Sequence, residues 1–584
     1  MSTIRRRAEF LTRLGRLLAP LVLFLAGCGG PQPNTPIGTA AVTAGFIVFE
    51  DVQPQSGIGF RLKASMSRPC GVLQTSGHPI AMIQADEDRL PDLVFGGSDR
   101  VELYRNLGGF RFQRVAESGL DRRAFWQGCA VADVDSDGRE DLFLSGYRAA
   151  ALYRGLGGDR FQEVTASSGV PPDAGGAWLT SAGFADVNGD QRPDLYVGGY
   201  LRLGHRDGVC EPLPGIRTAC GPMDFEAERG HLFLNDGLYR FSDVTRPAGL
   251  WETHGRTLGV AWGDANGDGY PDLYLANDRM PGDLYLHPGA RFRRKEGPSV
   301  PRFTNRAVES GVAVGPDGYA HAGMGVDWGD LGNTGRADLV VTTYQREATA
   351  LYRSEPGGLF TDASFASGLG GPTMPFVGYG VRWADLDNDG FSDILIANGH
   401  PLHLAEQVEP GASYAQPFQL FQNRGDETFA EQRVCGSSLP RSLVGRALAT
   451  GDLDGDGKID AVMSDLEGPP LILRNVSEHN NHWVRFRLTG PRCPIGTKIT
   501  VQTGSFRAVR TCNPGGSYLS SSDPGIHFGL GAVSRLEAIE AVWPDGHRLR
   551  IREVPVDQEF VLDSRWPSGS YQGPNQPPAP SFGG

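Results

Sequence analysis

The feature that most constrains this chain is a nine-residue acidic loop that comes seven times. Its last copy reads Asp452-Leu453-Asp454-Gly455-Asp456-Gly457-Lys458-Ile459-Asp460. Carboxylates at alternate positions, a glycine and a closing carboxylate can wrap a hard cation in oxygen ligands. In this reading Asp452, Asp454 and Asp456 point inward and Gly457 permits the sharp turn. Lys458 offers its backbone carbonyl and Asp460 closes the shell. Such loops also open EF-hands, but no helical pattern follows here, and position twelve is Met463 rather than Glu. The residues that follow, Asp460-Ala461-Val462-Met463-Ser464, read as a strand. The loop therefore belongs to a β architecture.

The second loop (Asp133, Asp135, Asp137, Arg139, Asp141) and the sixth (Asp385, Asp387, Asp389, Asp393) are complete. The fourth (Asp264, Asn266, Asp268, Asp272) has one Asn, which keeps an oxygen ligand and loses a charge. The third (Asp186, Asn188, Asp190, Asp194) has Gln191 where glycine is expected. The first is degraded to Gln84, Asp86, Asp88, Arg89 and Asp92. The fifth keeps Asp330, Gly335 and Asp338 but has Gly332 and Thr334 in place of two carboxylates. Loops two, six and seven are expected to hold calcium best, then four and three. Loops one and five are left open. Asp, Asn and Gly populate ordinary turns too, but three complete loops in register with four relatives, each between apolar strands, are hard to obtain from turn chemistry alone.

Around each loop the repeat has fixed parts. A tail with Phe at its head (Phe49, Phe112, Phe161, Phe241, Phe303, Phe360, Phe429) is followed by an apolar strand, the loop, an Asp-Leu strand and a Leu-Tyr-Arg-Asn-like strand. The period of roughly 50 to 80 residues fits four-stranded propeller blades with insertions. The last repeat ends at Leu471-Ile472-Leu473-Arg474-Asn475 with no tail after it, and the first tail at Phe49 has no strands before it. The N-terminal tail is therefore expected to supply the outer strand of the last blade and protect the open edge.

The flanks carry other information. Arg5, Arg6, Arg7, Arg13 and Arg16 precede an apolar run and Leu25-Ala26-Gly27-Cys28. This resembles a bacterial lipoprotein signal, which implies export, lipidation of Cys28 and a membrane tether over residues 28–48. Removing residues 1–27, with five Arg and one Glu, moves the formal net charge from −13 to −17. That acidic balance argues against a nucleic-acid partner. In an oxidising compartment the expected disulfides are Cys210–Cys220, flanking one loop, and Cys493–Cys512, bracketing a hairpin. Cys70, Cys129 and Cys435 leave an odd thiol. Residues 481–563 read as a compact all-β module, and residues 564–584, rich in Pro, Gly and Ser, as a disordered tail.

Two resemblances follow. Residues 49–475 resemble the FG-GAP/VCBS β-propeller, the repeat type of integrin α subunits. Asn481-His482-Trp483, Gly496-Thr497-Lys498, Gly516-Ser517-Tyr518-Leu519-Ser520, His527-Phe528-Gly529-Leu530-Gly531 and Trp543-Pro544-Asp545-Gly546 resemble the ASPIC/UnbV domain. Cys220-Gly221-Pro222, Ala276-Asn277-Asp278, Ala322-Gly323-Met324-Gly325 and Ala397-Asn398-Gly399-His400 complete the likeness to bacterial relatives of the cartilage acidic protein family. The implied fold is all-β, a seven-bladed integrin-α-like propeller followed by a small all-β domain. The implied function is a calcium-rigidified, membrane-tethered, non-enzymatic protein of adhesion or assembly, with several Ca2+ ions and a protein or glycan ligand. The competing reading is an enzyme or transition-metal protein with a central-channel site. Its candidates are His254, His321 and His400, with Arg256, Tyr344 and Arg446 nearby in the repeats.

Overall fold

The computed structural model describes residues 46–572 except 63–69, 87, 205–207, 252–254, 293–298, 433–438, 440 and 441. Cys28, Cys435, His254, the signal segment and the tether up to residue 45 lie outside the described residues. Among these residues strands dominate, and the helices are single turns of three or four residues. The strands alternate or run wholly apolar, as sheets buried on both faces require.

Among the described residues, seven antiparallel sheets of four repeat-derived strands follow the seven loops and stack as propeller blades. Blade two shows the pattern: Phe125–Ala132, Asp141–Tyr147, Ala149–Gly157 and Arg160–Glu163, from inside out. The acidic loop joins the first strand to the second, and the Phe-headed tail is the outermost strand. Blade seven is assembled from both ends of the repeat region. Gly445–Gly451, Asp460–Asp465 and Leu471–Asn475 take Phe49–Asp51 as the outer strand, with Phe49 opposite Asn475 and Asp51 opposite Leu473. The closure expected from the orphan tail is what the sheet register contains.

The blades are glued by apolar clusters, one between each neighbouring pair. The cluster that closes the ring sets Ile80 and Met82 of blade one against Ala447, Ala449 and Val462 of blade seven. Glycines at the inner strands let blades approach. A Cβ on Gly329 would lie 2.3 Å from the Trp383 ring of the next blade, and one on Gly263 would lie 2.7 Å from that of Trp328.

The C-terminal domain has a three-stranded and a five-stranded sheet around one core that includes Phe486, Ile499, Phe528, Ile539 and Trp543. Its limits differ from those expected. Gly569–Gln572 is a strand, paired in parallel with Arg548–Pro555, so the domain runs past residue 563. Backbone pairing to an open sheet edge is indifferent to the Pro/Gly-rich composition on which the expectation rested.

A further departure concerns residues 515–522. They leave the C-terminal domain as a finger and enter the centre of the propeller. Ser517 exchanges backbone hydrogen bonds with Val326 of blade five (2.6 and 3.1 Å), and Ser520 and Ser521 pair in parallel with Ile80 and Ala81 of blade one. The Ser517 and Ser520 hydroxyls donate to Leu448 O of blade seven (2.9 and 2.8 Å), and Leu519 N donates to Ser181 Oγ of blade three (3.0 Å). Tyr518 is fully buried, with its hydroxyl on Ser76 O and its ring against Tyr379. Inner strands of a propeller leave their inward backbone groups unpaired by their own sheet. The finger supplies partners for several of them.

Candidate metal centres

Each loop except the first, where Gln84 stands at the first position, is built on two carboxylates that the backbone itself requires. The first of these carboxylates accepts N–H groups across the turn. Asp133 accepts from Asp137 (3.0 Å) and Gly138 (2.8 Å), Asp264 from Asp268 and Gly269 (both 2.9 Å), and Asp330 from Thr334 (2.8 Å) and Gly335 (2.7 Å). The ninth carboxylate ties three segments together. Asp141 accepts Val134 N (2.8 Å) on one oxygen and Gly155 N of the third strand (2.8 Å) on the other. The same pair of bonds recurs at Asp92, Asp194, Asp272, Asp338, Asp393 and Asp460. The ninth Asp is thus a strand clamp as well as a closing ligand. The acidic spacing alone shows only the second role. Its presence in the degraded loops one and five was the available signal.

These carboxylates crowd one another away from water. Burial pushes Asp141 up to about 8, and Asp133 and Asp452 up to about 6. In loop six burial and the neighbouring carboxylates raise Asp385 and Asp393 well above the ordinary range and Asp389 to about 7. A buried cation would reverse that logic by favouring the ionised forms.

The donor sets fit such an ion. Carboxylate oxygens of Asp133, Asp135 and Asp141 lie within 4.8 Å of one another, as do those of Asp385, Asp387 and Asp393 and of Asp452, Asp454 and Asp460. These are loops two, six and seven. The buried oxygens Asp135 Oδ1 and Asp385 Oδ1, and Asn188 Oδ1 in loop three, have no hydrogen-bond partner among the described residues. Hard oxygen donors of this kind suit calcium. Asp186, Asp190 and Asp194 also share one turn, with Asp190 and Gln191 N–H groups on Asp186. Asp137, Asp389 and Asp456 accept the N–H two residues on, at Arg139, Phe391 and Lys458.

Third-strand side chains reach the third loop position. Arg154 meets Asp135 (3.4 Å) and Asp137 (3.0 Å), Arg474 meets Asp454 (3.2 Å), and Gln422 donates to Asp387 (2.5 Å). A fourth acidic group, Asp86, Asp92 and Asp159, unites loop one with a turn of blade two. Arg105 enters it, 2.5 Å from Asp86 and 3.3 Å from Asp159.

The C-terminal domain docks on this loop face. Gly529 N donates to Asp385 Oδ2 (3.1 Å), and Asn481 to Asp387 O (2.8 Å). His527 bonds Asn388 Oδ1 (2.6 Å), Arg510 donates to Asn333 Oδ1 (2.9 Å), and Lys498 pairs with Asp264.

Of the channel histidines, His254 lies outside the described residues, and His321 and His400 make separate local bonds. His321 bonds Asp317 (3.0 Å), while the buried His400 bonds the Tyr344 hydroxyl (3.1 Å). No metal-competent group among the described residues contains either. Arg446 is buried and donates to the carbonyls of Thr75, Gly399, Gly445 and His400, and Arg256 donates to Phe225 O. The cysteines divide. Cys210–Cys220 is a disulfide, but Cys493 and Cys512 are free. Cys493 packs into the cluster between blades two and three and Cys512 into the C-terminal core, so hairpin spacing did not bring them together. Burial pushes the Cys512 thiol up to about 12.

An FG-GAP-like repeat model matches residues 85–144, 133–197 and 330–396, and an ASPIC and UnbV model matches residues 489–568. The chain carries FG-GAP-like repeats and an ASPIC/UnbV domain. It is homologous to cartilage acidic protein 1. The human protein is 26% identical over 394 residues, covering 66% of this chain and 53% of the relative, and the mouse protein is 25% identical over the same length, covering 66% and 55%. The chain thus spans about half the length of the curated relatives it matches. Among solved structures, an Agrocybe aegerita lectin recognising non-reducing terminal N-acetylglucosamine aligns at 17% identity and TM-score 0.36, covering 68% of this chain and 87% of the lectin. The extracellular domain of the one-component system BT4673 from B. thetaiotaomicron aligns at 10% and 0.38, covering 89% and 57%. The ASPIC/UnbV match contains the finger, and the FG-GAP-like matches contain loops two, three, five and six and most of loop one.

Proposed function

We propose that this is an extracellular, calcium-rigidified binding protein of adhesion or assembly, without enzymatic activity, tethered to a bacterial cell envelope through lipid on Cys28. The carrying observation is the repeated donor set of loops two, six and seven, with the buried, unpartnered oxygens of Asp135 and Asp385. Calcium would be held by Asp133, Asp135, Asp137 and Asp141, by Asp385, Asp387, Asp389 and Asp393, and by Asp452, Asp454, Asp456 and Asp460. Loop three would add a site through Asp186, Asn188, Asp190 and Asp194. Bound calcium supplies charge that cancels repulsion among carboxylates the fold forces together. The homology to cartilage acidic protein 1 and the FG-GAP-like repeats support the extracellular binding role. The rigid ring is a platform for a protein or glycan ligand. A channel-centred reading has less support, because the finger occupies the channel and His321 and His400 serve separate local bonds.

Metal removal tests the reading. Chelation is expected to lower the melting temperature by 10 °C or more, on the order of what several lost ion sites would produce, and added calcium, not magnesium, should restore it. An unchanged melting temperature would refute the calcium role.

A further inference from the structure

Two of the seven loops lack a free first carboxylate and carry a cation of the chain. Lys498, at the start of the strand Lys498–Thr503 in the C-terminal domain, sets its ammonium on Asp264, the first carboxylate of loop four. That carboxylate is the hub of its turn, since it also accepts the N–H groups of Asp268 and Gly269. In blade one the hub is missing, because Gln84 stands at the first position. There the Arg105 guanidinium bridges Asp86 and Asp159, 2.5 and 3.3 Å away, from two neighbouring blades. The Asp86 side chain is only 2% exposed, so Arg105 is its route to charge balance.

The other loops differ at the first position and not at the third, where Arg105, Arg154 and Arg474 all arrive from the third strand of their blade. The first carboxylates, Asp133 and Asp452, carry no side-chain ion pair among the described residues, and Asp135 keeps a buried, unpartnered oxygen. Those centres stay open to a metal. An ammonium on the first carboxylate claims the position a divalent ion would need, and two cations at contact distance repel.

We propose that Lys498 is the resident cation of loop four and Arg105 that of loop one, so that these loops take no calcium. The proposal rests on the calcium reading of loops two, six and seven. It assigns loop four a different task. Its first carboxylate, Asp264, clamps the C-terminal domain to the propeller, and Lys498 acts as the tooth of the clamp. It also replaces the sequence expectation that Asp264, Asn266, Asp268 and Asp272 form a calcium site.

The test counts ions. The full chain is dialysed to equilibrium against calcium, and bound metal per chain is measured by inductively coupled plasma mass spectrometry. Lys498→Met is expected to gain one ion, because loop four then has carboxylates and no cation. Arg105→Leu is expected to gain one as well. In the otherwise unaltered chain Asp268→Asn should leave the count as it was, whereas Asp389→Asn should lower it by one. A loss of one ion in Asp268→Asn, or an unaltered count in Lys498→Met, would overturn the assignment of loop four. An unaltered count in Arg105→Leu would overturn that of loop one. If Lys498→Met fails to fold, Asp268→Asn decides alone. A parent chain that binds no calcium sinks the calcium reading of the other loops, and Lys498→Met, which would then acquire the first ion, still decides this one.

Discussion

At the scale of single residues, the ninth carboxylate of each loop separates two roles that sequence spacing merges. Asp338 belongs to loop five, where Gly332 and Thr334 have displaced metal-type ligands, yet it holds Leu331 N (2.7 Å) and Ser354 N (2.7 Å) as firmly as the complete loops do. Asp338→Asn keeps the shape but can accept through only one oxygen, leaving one buried N–H poorly paired. The expected cost is about 1–3 kcal/mol, and it should be the same with calcium or with chelator. Urea denaturation under both conditions measures it, and a cost that appears only with calcium would mean that loop five is a metal site after all. The acidic spacing itself was readable because it is local: nine consecutive residues specify the turn and its ligands. What a third-strand Arg or a lysine from another domain does to that turn depends on docking. Nothing near Lys498 in the chain announced Asp264 as its partner.

At the scale of elements, the blades were legible and the finger was not. Strand, loop, strand and Phe-headed tail recur with a fixed order, and burial of both sheet faces follows from the apolar runs. The finger has no apolar periodicity. Residues 515–522 are small and polar, apart from Tyr518 and Leu519, and they look like a surface turn. Their fit depends on an unusual backbone, since Gly516 has φ 92° where an added Cβ would sit 2.8 Å from Asp327 Oδ1. Ser517 and Leu519 also adopt positive φ, a cost that the buried contacts must over-determine. Tyr518 is the anchor. Removing its ring leaves a void against Tyr379 and orphans Ser76 O, so Tyr518→Ala is expected to destabilise the folded chain by about 3–5 kcal/mol. Chemical denaturation followed by tryptophan fluorescence reads this, and a loss under about 1 kcal/mol would mean that the finger is an ornament rather than a fastener.

At the scale of the whole molecule, carboxyl groups that stand above their ordinary range are spread around the ring, so their effects add up in global stability. Asp133, Asp141, Asp389 and Asp452 are raised to values between about 6 and about 8 by burial, in the absence of metal. A carboxyl whose folded value lies above its unfolded one stabilises the fold while protonated and loses that contribution as pH rises. In chelator the melting temperature is therefore expected to fall from pH 5 to pH 8.5, and saturating calcium should flatten the slope by keeping the groups ionised. Differential scanning fluorimetry across that range decides it. A metal-free melting temperature that climbs with pH would show that these carboxyls are not buried as described.

The ring is also a statement about time. Phe49–Asp51 finds its partner in Leu471–Asn475, made more than four hundred residues later. At roughly 5–20 residues per second, synthesis leaves that strand waiting on the order of 20–80 s. The finger comes later still, so the last-made module is the one that enters the hub of a wheel whose rim has just been joined. A chain interrupted anywhere before residue 471 would present an open sheet edge with its own matching strand hanging free, which is the arrangement from which one chain can complete the blade of another.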